Sequence, residues 1–284
     1  MKLVNNNISP LAFYDDIALQ NHRKSYAFGQ VFPLITYKNY LLPFQFVLNT
    51  TNAPSVKAVY LHDFNSGASV NITNDIISNG LVIKEVNGYT LIAYPAVFSI
   101  NAIDHEGFYY LQITLSDESV YYSEVFCSKN DVSDCVLLEW GNTYDLEMLK
   151  GIISFKDFVK FKCYLQTQIG RPEYTFEEQA TERLGYSFIE SQVSKKTYKF
   201  TALAPEYLCD ALRIVRLCDT KRITQGSQVY EPTSFSVEPK WQEQGDLASV
   251  EVEFDTATVI ANLGGYTTKA ERKDFNESFN QDYR

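Results

Sequence analysis

The chain has 284 residues, 45% of them hydrophobic and 21% charged, which supplies apolar material for two cores and argues against wholesale disorder. The formal net charge of −10 is spread evenly: residues 1–135 carry 7 Lys/Arg and 12 Asp/Glu, a balance of −5, and the remainder carries the other −5. With no basic stripe to neutralise phosphates, nucleic acid and anionic membrane are poor partners for it.

In chain order, residues 1–40 read as a mixed N-terminal arm. The stretch KSYAFGQVFPLITYKNY is aromatic, is interrupted by Gly29 and Pro33, and lacks a sustained period of either kind. From Leu41 to Phe126 the strand signal is strong. FQFVL puts Phe44, Phe46 and Leu48 on one face. FYYLQITL alternates Tyr109, Leu111, Ile113 and Leu115 against Phe108, Tyr110, Gln112 and Thr114, and the polar link 116–119 joins it to VYYSEVF as a hairpin. These segments predict an immunoglobulin- or fibronectin-like β-sandwich over 41–130. SKNDVSD (128–134) reads as a linker. Over 135–261 the pattern predicts a second, β-rich α+β domain. There KDFVKFKCYLQTQI reads as strand, RPEYTFEEQATERLGYSF as a loop or short helical piece, and KKTYKFTAL as strand again.

One amphipathic helix is expected over 205–219. Pro205 and Glu206 suit its first turn, and Leu208, Ala211, Leu212, Val215 and Cys218 form one apolar stripe. Two further strands follow: FSVEPKW, and ASVEVEF with Val250, Val252 and Phe254 inward and Glu251 and Glu253 outward. Gly245 is placed in the turn between them. Residues 262–284 are glycine-led and polar, a C-terminal arm that cannot make a core alone.

Little in the sequence points to catalysis or to a cofactor. The five cysteines, Cys127, Cys135, Cys163, Cys209 and Cys218, are odd in number and widely spaced, without a CxxC pair, so they read as free thiols in a reducing compartment and not as a disulfide framework or zinc site. The N-terminus lacks the pattern of a signal peptide, and no run of about 20 apolar residues would span a bilayer. His62 and His105 end or precede strands. Glu177, Glu178 and Glu182, or Glu251 and Glu253, offer the carboxylates a hydrolase would need, but alternation with buried valines already accounts for the second group. Asp63-x-Asn65-x-Gly67 lacks the later glutamate of a calcium loop and reads as a turn. The expectation is a non-enzymatic protein with no metal or cofactor.

The aromatic residues are the least ordinary feature. Tyr109-Tyr110 and Tyr121-Tyr122 are adjacent pairs, so one member of each must point away from the strand's inner face. Tyr26, Phe28, Phe32 and Tyr37 of the arm, Tyr109 and Tyr121 of the hairpin, and Tyr266 and Phe275 of the tail are the interface candidates.

Residues 21–46 (NHRKSYAFGQVFPLITYKNYLLPFQF) resemble proteins of the tail-gene regions of phages and prophages of gut bacteria, as do 196–219 (KTYKFTALAPEYLCDALRIVRLCD) and the segment FSVEPKWQEQGDLASVEVEF. EGFYYLQITLSDESVYYSEVF resembles the closing hairpin of a fibronectin-like sandwich. The resemblance implies a structural virion protein of the distal tail or baseplate, assembled in the bacterial cytoplasm. Its partners would be copies of itself in a ring and neighbouring tail proteins. The competing expectation is a carbohydrate- or cell-surface-binding adhesin with exposed Tyr and Phe as sugar platforms. A hydrolase with a carboxylate pair ranks third.

Overall fold

In the computed structural model, which describes residues 2–4, 8–16, 34–50, 54–86, 88–143, 159–183, 186–241 and 247–262, the protein is mainly β. The strands of the first part are β1 (Lys2–Leu3), β2 (Phe13–Asp15), β3 (Leu34–Tyr37), β4 (Phe44–Asn49), β5 (Val56–Asp63) and β6 (Ser69–Asn71). After helix α1 (Thr73–Ser78) come β7 (Val82–Val86), β8 (Tyr89–Tyr94), β9 (Gly107–Leu115), β10 (Val120–Ser123) and β11 (Phe126–Lys129). Next are β12 (Val136–Gly141), β13 (Phe161–Leu165), β14 (Glu173–Arg183) and β15 (Tyr186–Pro205). Helix α2 (Glu206–Val215) then leads to β16 (Thr220–Gln225), β17 (Gln228–Tyr230), β18 (Ser234–Trp241), β19 (Leu247–Asp255) and β20 (Val259–Asn262).

These strands form three sheets. A four-stranded sheet has the order β1-β4-β8-β7; an eleven-stranded sheet follows the path β17-β16-β12-β13-β3-β11-β9-β10-β2, with β5 and β6 attached through β9; a five-stranded sheet has the order β14-β15-β19-β18, with β20 on β15. The four-stranded sheet packs on the long one through aromatic rings. Phe13 lies 4.8 Å from Phe44 and 4.5 Å from Phe46, and Phe46 lies 5.5 Å from Tyr121. In β4 the expected face of Phe44, Phe46 and Leu48 is buried, and so are Gln45 and Val47 on the opposite face. β4 is therefore covered from both sides.

The expected arm over 1–40 does not hold for the residues described there. Ile8, Leu11, Ala12 and Phe13 are buried. β3 lies inside the long sheet, parallel to β11 from Leu34↔Phe126 to Tyr37↔Lys129, and it meets β13 at Ile35↔Tyr164. Because β3 bridges β11 and β13, a single sheet runs past the linker expected at 128–134 and joins strands from both anticipated units. A parallel partner ninety residues away leaves no local sequence signal.

Two other segments differ from expectation. RPEYTFEEQATERLGYSF is no loop or helical piece but β14 and the start of β15, an antiparallel ribbon held by cross-strand pairs. Lys195–Glu177 at 2.9 Å and Gln192–Glu178 at 2.8 Å are examples. The helix is shorter than expected: Pro205 stands at its N-cap with extended backbone, and it ends at Val215. Leu208, Ala211, Leu212 and Val215 are buried against β15, β18 and β19, and Cys218 is buried in the turn beyond. In β19, Val250, Val252 and Phe254 are buried and Glu251 and Glu253 point outward, as the alternation requires.

Tyr40 supplies a first test of the core. Its ring is buried, stacked 4.8 Å from Tyr37, but its hydroxyl has no hydrogen-bond partner among the described residues. Burial, followed by nearby Tyr37 and Glu139, raises its phenol well above the ordinary tyrosine value. Tyr40→Phe removes an unsatisfied polar atom without changing ring volume. It is expected to raise stability by about 1 kcal/mol, checked by urea denaturation.

Candidate functional site

The outward face of the long sheet is set by parity. Leu111, Ile113 and Leu115 of β9 are buried, so Phe108, Tyr110 and Gln112 point the other way. Across the ladder His62 faces Tyr110 and Tyr60 faces Gln112, while Tyr122 of β10 lies on the far side of Gln112. The rings form a strip: His62 stacks on Tyr110 at 4.7 Å and 7°, Phe64 meets Tyr110 edge-on at 6.5 Å, and Tyr122 lies 6.5 Å from Tyr110. His62 Nε2 is also 2.9 Å from Gln112 Oε1.

The same face continues across β11, β3 and β13 through the neighbours Phe108↔Cys127, Cys127↔Ile35 and Ile35↔Tyr164. There it forms the floor of a cleft of about 360 Å³, whose far wall is Ala202, Leu203 and Leu208. Leu203 is 54% exposed at the rim, and Phe108 is exposed beside it. The polar groups of the cleft are few. Lys129 Nζ lies 3.9 Å from Asp134 Oδ2, and the same oxygen accepts a hydrogen bond from Gln166 Nε2 at 3.0 Å. Burial raises the Cys127 thiol.

A third surface lies on the five-stranded sheet. β15 is twenty residues long, and its two halves differ. Residues 197–205 pair with β19, and their Tyr198, Phe200, Ala202 and Ala204 face the core. Residues 186–197 pair with β14, and residues 191–194 also pair with β20 on the other edge. The face that is buried at Tyr198 runs on through Lys196 and Ser194. Tyr174 is opposite Lys196, while Phe176 and Val259 are opposite Ser194. Among the described residues nothing covers this extension: Tyr174 is 59%, Phe176 74% and Val259 69% exposed. Lys196 lies over the rings of both Tyr174 and Tyr198, at 5.8 and 5.2 Å.

The titratable groups singled out in the sequence are bound into local structure. Asp63 Oδ1 accepts the backbone N–H groups of Asn65 and Ser66 at 2.9 and 2.8 Å, which closes a turn and lowers its pKa. His105 Nδ1 lies 2.6 Å from Asp104 Oδ1, and its Nε2 lies 3.6 Å from Asp63 Oδ2 and 3.0 Å from the Tyr109 hydroxyl. The Asp104 hydrogen bond raises the imidazole's pKa, so the cluster clasps two loops. Glu177 and Glu178 are consecutive and point to opposite faces of β14. Glu251 and Glu253 share a face, but each is bridged to a lysine, Lys240 at 2.6 Å and Lys199 at 3.2 Å.

Of the expected interface residues, Tyr37 is exposed. Tyr109 and Tyr121 are corrected: at 2% and 1% exposure they have no surface to offer, and the outward members of their pairs are Tyr110 and Tyr122. The inward position of Leu111 and Ile113 fixes this choice and was already visible in the alternation. Tyr26, Phe28, Phe32, Tyr266 and Phe275 lie outside the described residues, as does Gly245. Phe176, Tyr174 and Val259 escaped sequence reasoning because a ribbon wet on both faces lacks an apolar period. No helix among the described residues is long and apolar enough to cross a membrane. No protein-family model, curated protein or solved structure matches the chain.

Proposed function

We propose that this chain is a structural protein of a phage tail, acting by assembly and not by turnover. In this reading it forms or connects an oligomeric ring near the distal tail or baseplate, with other copies of itself and neighbouring tail proteins as partners. It would be assembled in the bacterial cytoplasm and reside in the virion. The carrying observation is the uncovered sheet face of Tyr174, Phe176 and Val259. Exposed apolar side chains gathered on one face of a polar ribbon favour a protein partner, and aromatic residues are enriched where interfaces are buried. The reading includes an immunoglobulin- or fibronectin-like sandwich in the first part of the chain, supported by the packing of Phe44 and Phe46 on Phe13 and Tyr121. It also takes α2 as an amphipathic helix, since Leu208, Ala211 and Leu212 are buried while Glu206 and Arg213 are exposed.

The aromatic strip around Tyr110 favours a second reading, a carbohydrate- or cell-surface-binding adhesin. Sugar platforms need free ring faces, however, and here His62 and Tyr110 turn theirs toward each other. That arrangement weighs toward assembly. Light scattering distinguishes the two: the full-length protein should have the mass of a closed oligomer. Replacing Tyr174, Phe176 and Val259 together by serine should reduce it to a monomer with unchanged circular dichroism. A monomeric parent protein would instead put the adhesin reading first.

A further inference from the structure

We infer that His105 is a proton-operated clasp: charged, it pins the Asp63 turn to its own loop, and neutral, it releases that turn while keeping its hold on Tyr109. Three polar groups surround the ring. Nδ1 lies 2.6 Å from Asp104 Oδ1, and Nε2 lies 3.0 Å from the Tyr109 hydroxyl and 3.6 Å from Asp63 Oδ2. A neutral imidazole has one N–H and one acceptor nitrogen, whereas the charged ring donates from both. The Asp104 carboxylate only accepts, so it fixes the single proton of the neutral ring on Nδ1. Nε2 is then an acceptor for the Tyr109 hydroxyl, and the lone pair it carries offers nothing to the Asp63 carboxylate. On protonation Nε2–H donates toward the Tyr109 oxygen and attracts Asp63, while the Tyr109 hydroxyl donates instead to the His105 carbonyl at 3.3 Å. Tyr109 holds the ring in both states, and Asp63 holds it only in the charged one.

The groups facing His105 come from three elements. Asp104 stands beside it in the loop, Asp63 at the end of β5 and Tyr109 on β9. Lys38, beyond β3, acts on Asp104, and the neighbouring Glu106 accepts the Asn130 N–H at 2.8 Å. The Asp104 hydrogen bond raises the imidazole above its ordinary value, partial burial opposes this, and the charges of Asp104 and Asp63 add to the rise. Tyr109, pushed up to about 12 chiefly by burial, keeps its proton throughout. Because the folded value of His105 is the higher one, the clasp is complete below the ordinary histidine value and is lost as pH rises through the folded value. The turn is the part free to respond. The loop is fixed on either side of His105, by the Asn39 N–H on the Ile103 carbonyl at 2.7 Å and by Glu106 on Asn130. The tip of the turn, Asn65, Ser66 and Gly67, is exposed, and at its base Phe64 meets Tyr110 of the aromatic strip.

NMR of the full-length protein with isotope-labelled histidine reads the ring nitrogens directly, and His105→Gln assigns the signal among the three histidines. His105 should titrate above the ordinary 6.5, with both nitrogens protonated in acid and the remaining proton on Nδ1 above the midpoint. Asp63→Asn keeps an oxygen for the Asn65 and Ser66 amides, so the turn survives while its charge is lost. This variant should move the midpoint toward 6.5 and leave the Nδ1 proton in place. In the parent protein, amide exchange at Ser66 and Gly67 should rise through the midpoint by about threefold more than at Ser119 of the β9–β10 turn. That extra step should vanish in Asp63→Asn. A neutral ring protonated on Nε2, a midpoint that Asp63→Asn leaves unmoved, or exchange at Ser66 and Gly67 that only parallels Ser119 overturns the clasp.

Discussion

Phe254→Ala is expected to lower the unfolding free energy by about 3–5 kcal/mol, the range for truncating a fully enclosed phenylalanine. The ring has no solvent exposure and contacts Tyr198 at 5.3 Å, Tyr230 at 5.6 Å and Phe200 at 6.4 Å. Those neighbours cannot close the resulting cavity easily, because Tyr198 and Phe200 are held in register against β19 at both ends of the site. One residue away, Glu253→Ala should change stability by no more than about 0.5 kcal/mol, since it removes only a half-exposed ion pair with Lys199. Urea denaturation of both variants checks the contrast, with the midpoint shifting for Phe254→Ala at unchanged slope. Phe254 also lies opposite Tyr198, where β15 passes from the core into the ribbon. Its loss should therefore accelerate amide exchange in the ribbon before that in β9. Equal acceleration in both would show that the ribbon's root is not a separate unit.

The second large effect is alkaline. Cys135 and Cys163 have their thiols pushed up from the ordinary 9.0 to about 12, and Cys209 and Cys218 to about 11, in each case chiefly by burial. For Cys135 the hydrogen bond with Asp134 adds to the shift. In the unfolded chain these thiols ionise near their ordinary value, while the folded protein keeps the protons. The stability they contribute is thus complete below pH 9 and is lost as pH rises through the folded values. Each retained proton is worth about 1.4 kcal/mol per pH unit. The four buried thiols together give a slope of at most about 5 kcal/mol per unit near pH 10, comparable to a whole domain's stability over two units. The phenols of Tyr94 and Tyr164 are raised by burial as well and steepen the loss above pH 10. Thermal melts in reducing buffer at pH 8, 9, 10 and 10.5 measure this. Cys163→Ala should flatten the slope by one proton's worth, and a stability constant from pH 8 to 10.5 would refute the argument.

Strands with one dry face could be read directly from the order of residues. β9 and β19 alternate because Leu111, Ile113, Val250, Val252 and Phe254 must leave water while their neighbours must not, and that demand is written residue by residue. A helix was expected over 205–219 from the spacing of Leu208, Ala211, Leu212, Val215 and Cys218, and a shorter one, α2, stands there. The remaining features depend on contacts between distant parts of the chain. β14 has water on both faces, so its pairing with β15 is stabilised by cross-strand contacts that leave no apolar period. β3 finds its parallel partner far along the chain, and the choice between arm and central strand was made by β11 and β13, not by its own residues. The cleft is assembled from residues near 34, 108, 127, 165 and 203, which no local pattern connects. Burial imposes a local periodicity that a sequence must carry, whereas strand order and recesses arise from non-local pairing, which sequence spacing does not encode.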